Sequence, residues 1–434
     1  MKGSSRRVYL SVLPFFVFLM PSVAAAAEGK IDTGDTTWLL ISSALVMLMT
    51  PGLALFYGGM VRRKNVLGTI MHSFIALAVI TLQWVIIGYT LSFGPDVGGF
   101  IGSLKWFGLS GVGVEPSKYA PTVPHLAFMI YQAMFAIITP ALISGAFAER
   151  MKFSAYLLFI LLWSTFVYDP VAHWIWGGGW MSKLGVLDFA GGIVVHATAG
   201  ISALAAAIIV GKRKGYPEEP MTPHNLPMTV LGAGLLWFGW FGFNAGSALS
   251  SGGLATVALV NTHVAAATAT LIWIIIEWIK YGKPTMFGAA TGCIAGLATI
   301  TPAAGFVTPM SAILTGLAAG AICFLGLKAK GVLGYDDSLD AFGVHGVGGI
   351  LGTLCIGFFA TTTVNSAGAE GILYGNAHQM MVQVIGAGGV ALYSLIVSVI
   401  ILKIIDWTIG LRIDEDSEIK GLDLAQHGEE GYFL

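Results

Sequence analysis

A chain of 434 residues in which 56% are hydrophobic and only 10% charged, with a mean hydropathy of +0.80, lies far outside the composition of a soluble globular protein. Lipid must be the solvent for most of it, and apolar segments of spanning length follow one another with short polar breaks, which reads as one membrane domain. The net charge of -1 gives no sign of nucleic-acid partners, and Cys293, Cys323 and Cys355 all fall in apolar stretches at spacings that match no disulfide or metal pattern.

The N-terminus carries Lys2, Arg6 and Arg7, an apolar run from Val8 to Met20, then Pro21 and the small residues Ala24 to Ala27. That is the pattern of a secretory signal peptide over 1–27, removed to leave the mature N-terminus outside. Apolar segments follow at about 36–60, 67–92, 123–148, 153–170, 189–210, 225–248, 254–279, 285–303, 307–327, 340–360 and 376–405. They predict an all-α integral membrane protein of about eleven transmembrane helices over 28–405, with a cytoplasmic C-terminal tail over 406–434. Beyond the leader, Lys30, Lys105, Lys118 and Lys183 occupy one set of loops and fifteen basic residues the other, among them Arg62, Arg63, Lys64, Lys212, Arg213 and Lys214. The basic side is cytoplasmic, so the N-terminus is outside and the C-terminus inside.

An odd number of spans with an outside start suits two inverted repeats of five helices plus a C-terminal helix. Two echoes support this 5+5 repeat. Phe56-Tyr57-Gly58-Gly59 ends the first span as Phe243-Asn244-Ala245-Gly246 ends the sixth. The fifth has Asp188, His196 and Gly200, and the tenth Asp340, His345 and Gly349.

Ionisable side chains inside spans mark a transport path or relay by default. His196 and His345, at equivalent places of the two repeats, are the leading candidates, because neutral imidazoles can accept, donate or relay a proton. Haem ligation is the rival use, but each helix offers one histidine and no second pair exists. Asp188, before a glycine-rich helix start, reads both as an N-cap and as negative charge at a cation entry. Aromatics crowd the outer face: Tyr131 and Phe135 in the third span, Trp174, Trp176 and Trp180 in the loop before the fifth, and Trp240, Phe241 and Phe243 in the sixth. They suit an interfacial belt and, for some of them, a cation-binding cup.

Taken together, Asp188-Phe189-Ala190-Gly191-Gly192 through His196, Phe241-Gly242-Phe243-Asn244-Ala245-Gly246-Ser247, and Phe342-Gly343-Val344-His345-Gly346 resemble the ammonium transporter (Amt) family of the Amt/Mep/Rh superfamily, over essentially the whole mature chain. The resemblance implies a homotrimer in an inner cell membrane with one pore per subunit, and no enzymatic activity, cofactor or metal. It implies that Phe135, Trp176 and Ser247 recruit ammonium, that Phe135 and Phe243 close the pore below, and that His196 and His345 are the twin histidines. Asp188 supports the recruitment site and Trp240 lines the pore. A PII signal protein at the cytoplasmic face and a regulatory role for the tail are implied as well. The alternative is a Rhesus-type ammonia gas channel or an ammonium sensor. Tyr131, where phenylalanine is commoner, adds a hydroxyl at the entry, and the extra His263 is expected outside the pore.

Overall fold

The computed structural model describes residues 30–432, so the expected signal peptide lies outside the described residues. Ten helices among them are long and apolar enough to cross a bilayer: α1 Thr33–Met60, α2 Arg63–Phe93, α3 His125–Phe147, α4 Phe153–Leu184, α5 Gly192–Val210, α6 Leu226–Gly246, α7 Gly253–Tyr281, α9 Pro309–Leu333, α10 Phe342–Phe359 and α11 Ala377–Thr408. Between α7 and α9 lies the shorter α8, Met286–Ile300. This is a multi-pass membrane protein. Local chemistry punctuates the helices: Asp32 caps α1, Asn225 caps α6 and Thr308 caps α9 through their side chains, while Gly282 and Gly334 end α7 and α9 in the left-handed region.

Two boundaries differ from the sequence expectation. The eighth helix stops at Ile300 instead of running to 303, because Pro302 has no N–H to donate to the carbonyl four residues before it, and the next N–H donors turn away. Fifteen residues rise only about 22 Å, short of a bilayer core of about 30 Å. The broken end stays within protein, where Asn261 Nδ2 donates to the carbonyls of Ala304 at 2.9 Å and Val307 at 2.7 Å. Irregular backbone at membrane depth is tolerated on that condition. The fourth helix runs on past 170, since Pro170 follows a π-turn (Ser164–Tyr168) at a position where its missing N–H does little harm, so Trp174 lies on helix instead of in a loop.

The contacts carry the inverted repeat. α1 packs on α2 and α3 as α6 packs on α7 and α8; α2 meets α3 and α4 as α7 meets α8 and α9; α3 meets α5 as α8 meets α10. The halves join along α1 with α6 and along α5 with α10, and α11 stands outside the repeat against α4, α5 and α10. The α5–α10 crossing is drawn tight by glycine. A Cβ on Gly200 would lie 2.0 Å from Gly346 N, and one on Gly349 would lie 2.6 Å from Ala197 N. Gly200 and Gly349 each follow their histidine by four residues, and Ala197 and Gly346 by one, so the crossing obeys the repeat's own symmetry.

One part of the repeat falls elsewhere than expected. The tenth-span partner of Asp188 is Asp337, not Asp340. Asp337 stands eight residues before His345, as Asp188 stands eight before His196, and its carboxylate accepts from Ala341 N at 3.1 Å and Phe342 N at 2.8 Å. Asp340 adopts a φ of +61° and faces Lys330 Nζ at 2.5 Å. The outer α2–α3 connection folds into two hairpins, β1 Asp96–Val97 with β2 Ile101–Gly102, and β3 Pro116–Ser117 with β4 Ala120–Pro124. Asp96 ties the first to α4, accepting from His173 Nε2 at 3.0 Å and Lys183 Nζ at 2.6 Å.

Candidate functional site

The outer ends of α3, α4 and α6 enclose a vestibule of about 270 Å³, lined by Phe135, Trp176, Asp188 and Ser247 together with Gln132 and Phe306. Trp176 is the C-cap of the Asp169–Ile175 stretch of α4, and its indole Nε1 donates to Asp188 O at 2.9 Å, which fixes the ring at the rim. The Phe135 ring meets it edge-on, with centroids 6.0 Å apart and planes at 87°. Ser247, the C-cap of α6, donates its hydroxyl proton to Phe243 O at 2.9 Å, which leaves oxygen lone pairs free to accept. The Tyr131 hydroxyl does not face the entry; it turns into the end of α6, within 2.9 Å of both Gly242 O and Phe243 O and 3.2 Å from Ser247 Oγ.

Asp188 is committed to the backbone. Its two oxygens accept from the N–H groups of Gly191, Gly192, Ile193 and Val194 at 2.8, 2.7, 2.8 and 3.0 Å, saturating the free donors at the start of α5. Gly191, at φ +105°, supplies the left-handed turn that brings those donors round one carboxylate. Burial pushes the Asp188 carboxyl above its ordinary range, although the same four N–H groups pull the other way. With its oxygens so occupied, the residue acts on the vestibule by holding α5 and Trp176 in place.

Below the vestibule Phe135 and Phe243 pack with centroids 4.3 Å apart and planes tilted by 34°, both rings essentially inaccessible. Beneath them lies a narrow cavity of about 10 Å³, at the lower limit for a single water molecule, walled by apolar side chains such as Leu53, Ile138 and Leu236 and by His196 and His345. The two imidazoles lie face to face at 5.2 Å, with planes at 15°. Neither nitrogen of His196, nor Nδ1 of His345, has a hydrogen-bond partner among the described residues. The Trp240 ring covers His196 at 5.4 Å and 23°, and Phe243 stacks on it at 5.9 Å. His263 lies away from this line, exposed and packed against Trp237 and Phe241. No cluster of metal-ligating residues occurs among the described residues.

An aromatic vestibule, a close-packed phenyl pair and a narrow, mostly apolar cavity with paired histidines lie in series here, and a family model described as the Ammonium Transporter Family matches residues 37–432. The chain belongs to the ammonium transporter family. The ammonium transporter of Bacillus subtilis (strain 168) is 54% identical over 92% of this chain and 98% of its own length. That of Aquifex aeolicus (strain VF5) is 48% identical over 98% of this chain and 99% of its own. The crystal structure of Candida albicans Mep2 superposes with a TM-score of 0.86 at 39% identity, covering 93% of this chain and 91% of that one.

Two features of this ammonium transporter family member were not legible in its motifs. Thr301, at the broken end of α8, accepts the Trp240 Nε1–H at 2.8 Å, a pairing 61 residues apart that no local pattern signals. At the inner face a charge network joins four loops: Glu149 accepts from Arg62 N at 2.6 Å and pairs with Arg62 and Arg213, and Arg213 pairs with Asp336. Burial works against the Glu149 carboxylate, but the two guanidinium groups hold it below the ordinary range. The tail docks beside this network. Glu418 accepts from Lys214 N and from Arg412, and Asp423 accepts from Leu67 N at 3.0 Å and Gly68 N at 2.8 Å.

Proposed function

We propose that the chain imports ammonium: the cation is held between Phe135, Trp176 and Ser247, gives up its proton, and passes as ammonia through the cavity of His196 and His345. The single observation that carries this reading is the sequence of environments along one line, from an aromatic vestibule to a closed apolar cavity at the one-molecule limit. Cation–π contact is worth about 0.5 to 2 kcal/mol per face and suits an ion that has lost part of its water. Carrying the intact ion across the membrane centre costs about 3 to 17 kcal/mol. Removing the proton of an acid of pKa about 9 at neutral pH costs roughly 3 kcal/mol. Neutral ammonia is therefore the species the dry segment favours, and the proton returns separately past the histidine pair.

The working unit in this reading is a homotrimer in the inner cell membrane. The exposed His263 supports it: an ionisable side chain on the outer surface of a mid-membrane helix is expensive against lipid, and a neighbouring subunit over the Trp237–His263 face relieves that. The tail over 406–434 is regulatory, with a PII signal protein as the partner at the cytoplasmic face. The exposed Lys214–Glu415 pair beside the docked tail supports a polar protein contact there.

The test is ammonium uptake into proteoliposomes, read both as current on a solid-supported membrane and with an internal pH dye, for the wild type and His196→Ala. A saturable inward current that the substitution abolishes or makes unselective is the expected result. Dye-detected uptake without current means a gas channel, and neither signal in the wild type sinks the transport reading.

A further inference from the structure

Nothing but packing orients the imidazole of His196. Both of its nitrogens are unpartnered among the described residues, and it is stacked on Trp240, Phe243 and His345. Phenylalanine offers no hydrogen-bonding group, and Nδ1 of His345 has no partner among the described residues. Among these rings Trp240 is tied to the frame, by Nε1–H donating to Thr301 Oγ1 at 2.8 Å. The Thr301 hydroxyl is itself directed, since it donates to Leu297 O at 2.7 Å and so presents a lone pair, not its proton, to the indole. Thr301 is fully buried, and it sits where α8 breaks before Pro302. That break is packed hard on the α5 start: a Cβ on Gly192 would lie 2.3 Å from the Pro302 ring, and Phe189 N donates to Pro302 O at 3.0 Å. The anchor for the stack is thus a rigid point shared by the interrupted helix and the helix that carries His196.

We propose that Thr301 is the positioning residue of the pore: through the Trp240 indole it fixes the angle of the His196 ring, and with it the alignment that lets the paired histidines pass ammonia while excluding hydrated cations. The inference rests on the transport reading above. Its content is a route of action. Thr301 touches neither histidine ring and acts through one hydrogen bond on one neighbour, so its effect must vanish when that neighbour can no longer donate.

The experiment follows the route. Thr301→Val keeps the shape and removes the acceptor, Thr301→Ser keeps the acceptor, and Trp240→Phe keeps a ring and removes the donor. Each is reconstituted, with the double variant Thr301→Val/Trp240→Phe, and assayed for ammonium uptake with the internal pH dye and for potassium leak, alongside its melting temperature in detergent. Thr301→Val should lower the ratio of ammonium to potassium flux by about tenfold, the scale on which small misplacements act, and Thr301→Ser should restore it. On the Trp240→Phe background, Thr301→Val should change that ratio no further. An unchanged ratio in Thr301→Val overturns the proposal. So does an equal drop with and without the indole N–H, which would make Thr301 a stability element of the α8 break. Absence of uptake by the wild type would instead remove the transport reading.

Discussion

Asp188 and Asp337 stand eight residues before their histidines at opposite ends of the α5–α10 pair, and each spends its carboxylate on the backbone donors of a helix start. An aspartate ahead of a glycine-rich start is a cap by ordinary helix chemistry, so this half of the site was legible from residue types alone. Its mate was not, because Asp336, Asp337 and Asp340 crowd one loop. The left-handed backbone of Asp340 and its Lys330 partner decide the choice in three dimensions only. A substitution at Asp188 tests the capping role. In Asp188→Asn one oxygen becomes an NH2 group that cannot accept, so two of the four N–H groups lose their partner inside the protein. Each buried orphan donor costs about 1 to 3 kcal/mol. The expected outcome is a loss of roughly 2 to 6 kcal/mol in chemical unfolding of the purified protein, with faster amide exchange at Ile193 and Val194. A stability equal to that of the wild type would show that neither the charge nor the second pair of acceptors holds the helix start.

Helix count, order and sidedness followed from hydropathy and basic loops, since those signals are summed over twenty residues and tolerate local error. Element ends depended on contacts the pattern does not carry. The α8 break survives at membrane depth through Asn261, forty residues upstream, and the arm of α4 that holds Trp176 persists because outer-loop hairpin β1–β2 packs against it. That second contact has a pH signature. Hydrogen bonds from His173 first, and then from Lys183, hold the Asp96 carboxyl at about 2 in the folded protein, below its ordinary value. A depressed folded value means the contribution is present in full above the unfolded value of about 3.8 and fades as pH falls from there towards 2. Thermal unfolding in detergent should therefore find Asp96→Asn less stable than the wild type at pH 6, with the gap narrowing below about pH 4. A gap constant from pH 6 to pH 3 would remove Asp96 from the link between hairpin and helix. The sign is fixed by the direction of the shift, while the size stays modest because the group is partly open to solvent.

Across the whole molecule the tail adds a second set of ties over the inner face, beside the network of Arg62, Glu149, Arg213 and Asp336. It reaches the α5–α6 loop through Lys214 and Glu418, the α1–α2 junction through Lys64, Asn65 and Asp423, and the start of α4 through Gln426, whose Oε1 accepts from Phe153 N at 2.6 Å. Near its end the Tyr432 hydroxyl lies 3.0 Å from His224 Nε2, just before α6. The consequence is sharpest at α2. No side chain of the residue preceding its α-helical run, Asn65, caps that run, because the Asn65 Oδ1 accepts from Leu422 N at 2.8 Å; Asp423, more than 350 residues away in sequence, accepts from the first helical donors instead. A cap supplied from so far along the chain makes the order of α2 depend on the docking of the tail. Asp423→Ala should lower stability by about 0.5 to 2 kcal/mol, the usual worth of a side-chain cap. In hydrogen exchange read by mass spectrometry it should release peptides spanning Leu67 and Gly68 while leaving those around Phe153 and His224 protected. Removing residues 412–434 should release all three regions together, since each loses its own partner in the tail. If the Leu67–Gly68 peptides stay protected in Asp423→Ala, the helix start is held by its packing on α1 and α3, and the tail then rests on the inner face without ordering it.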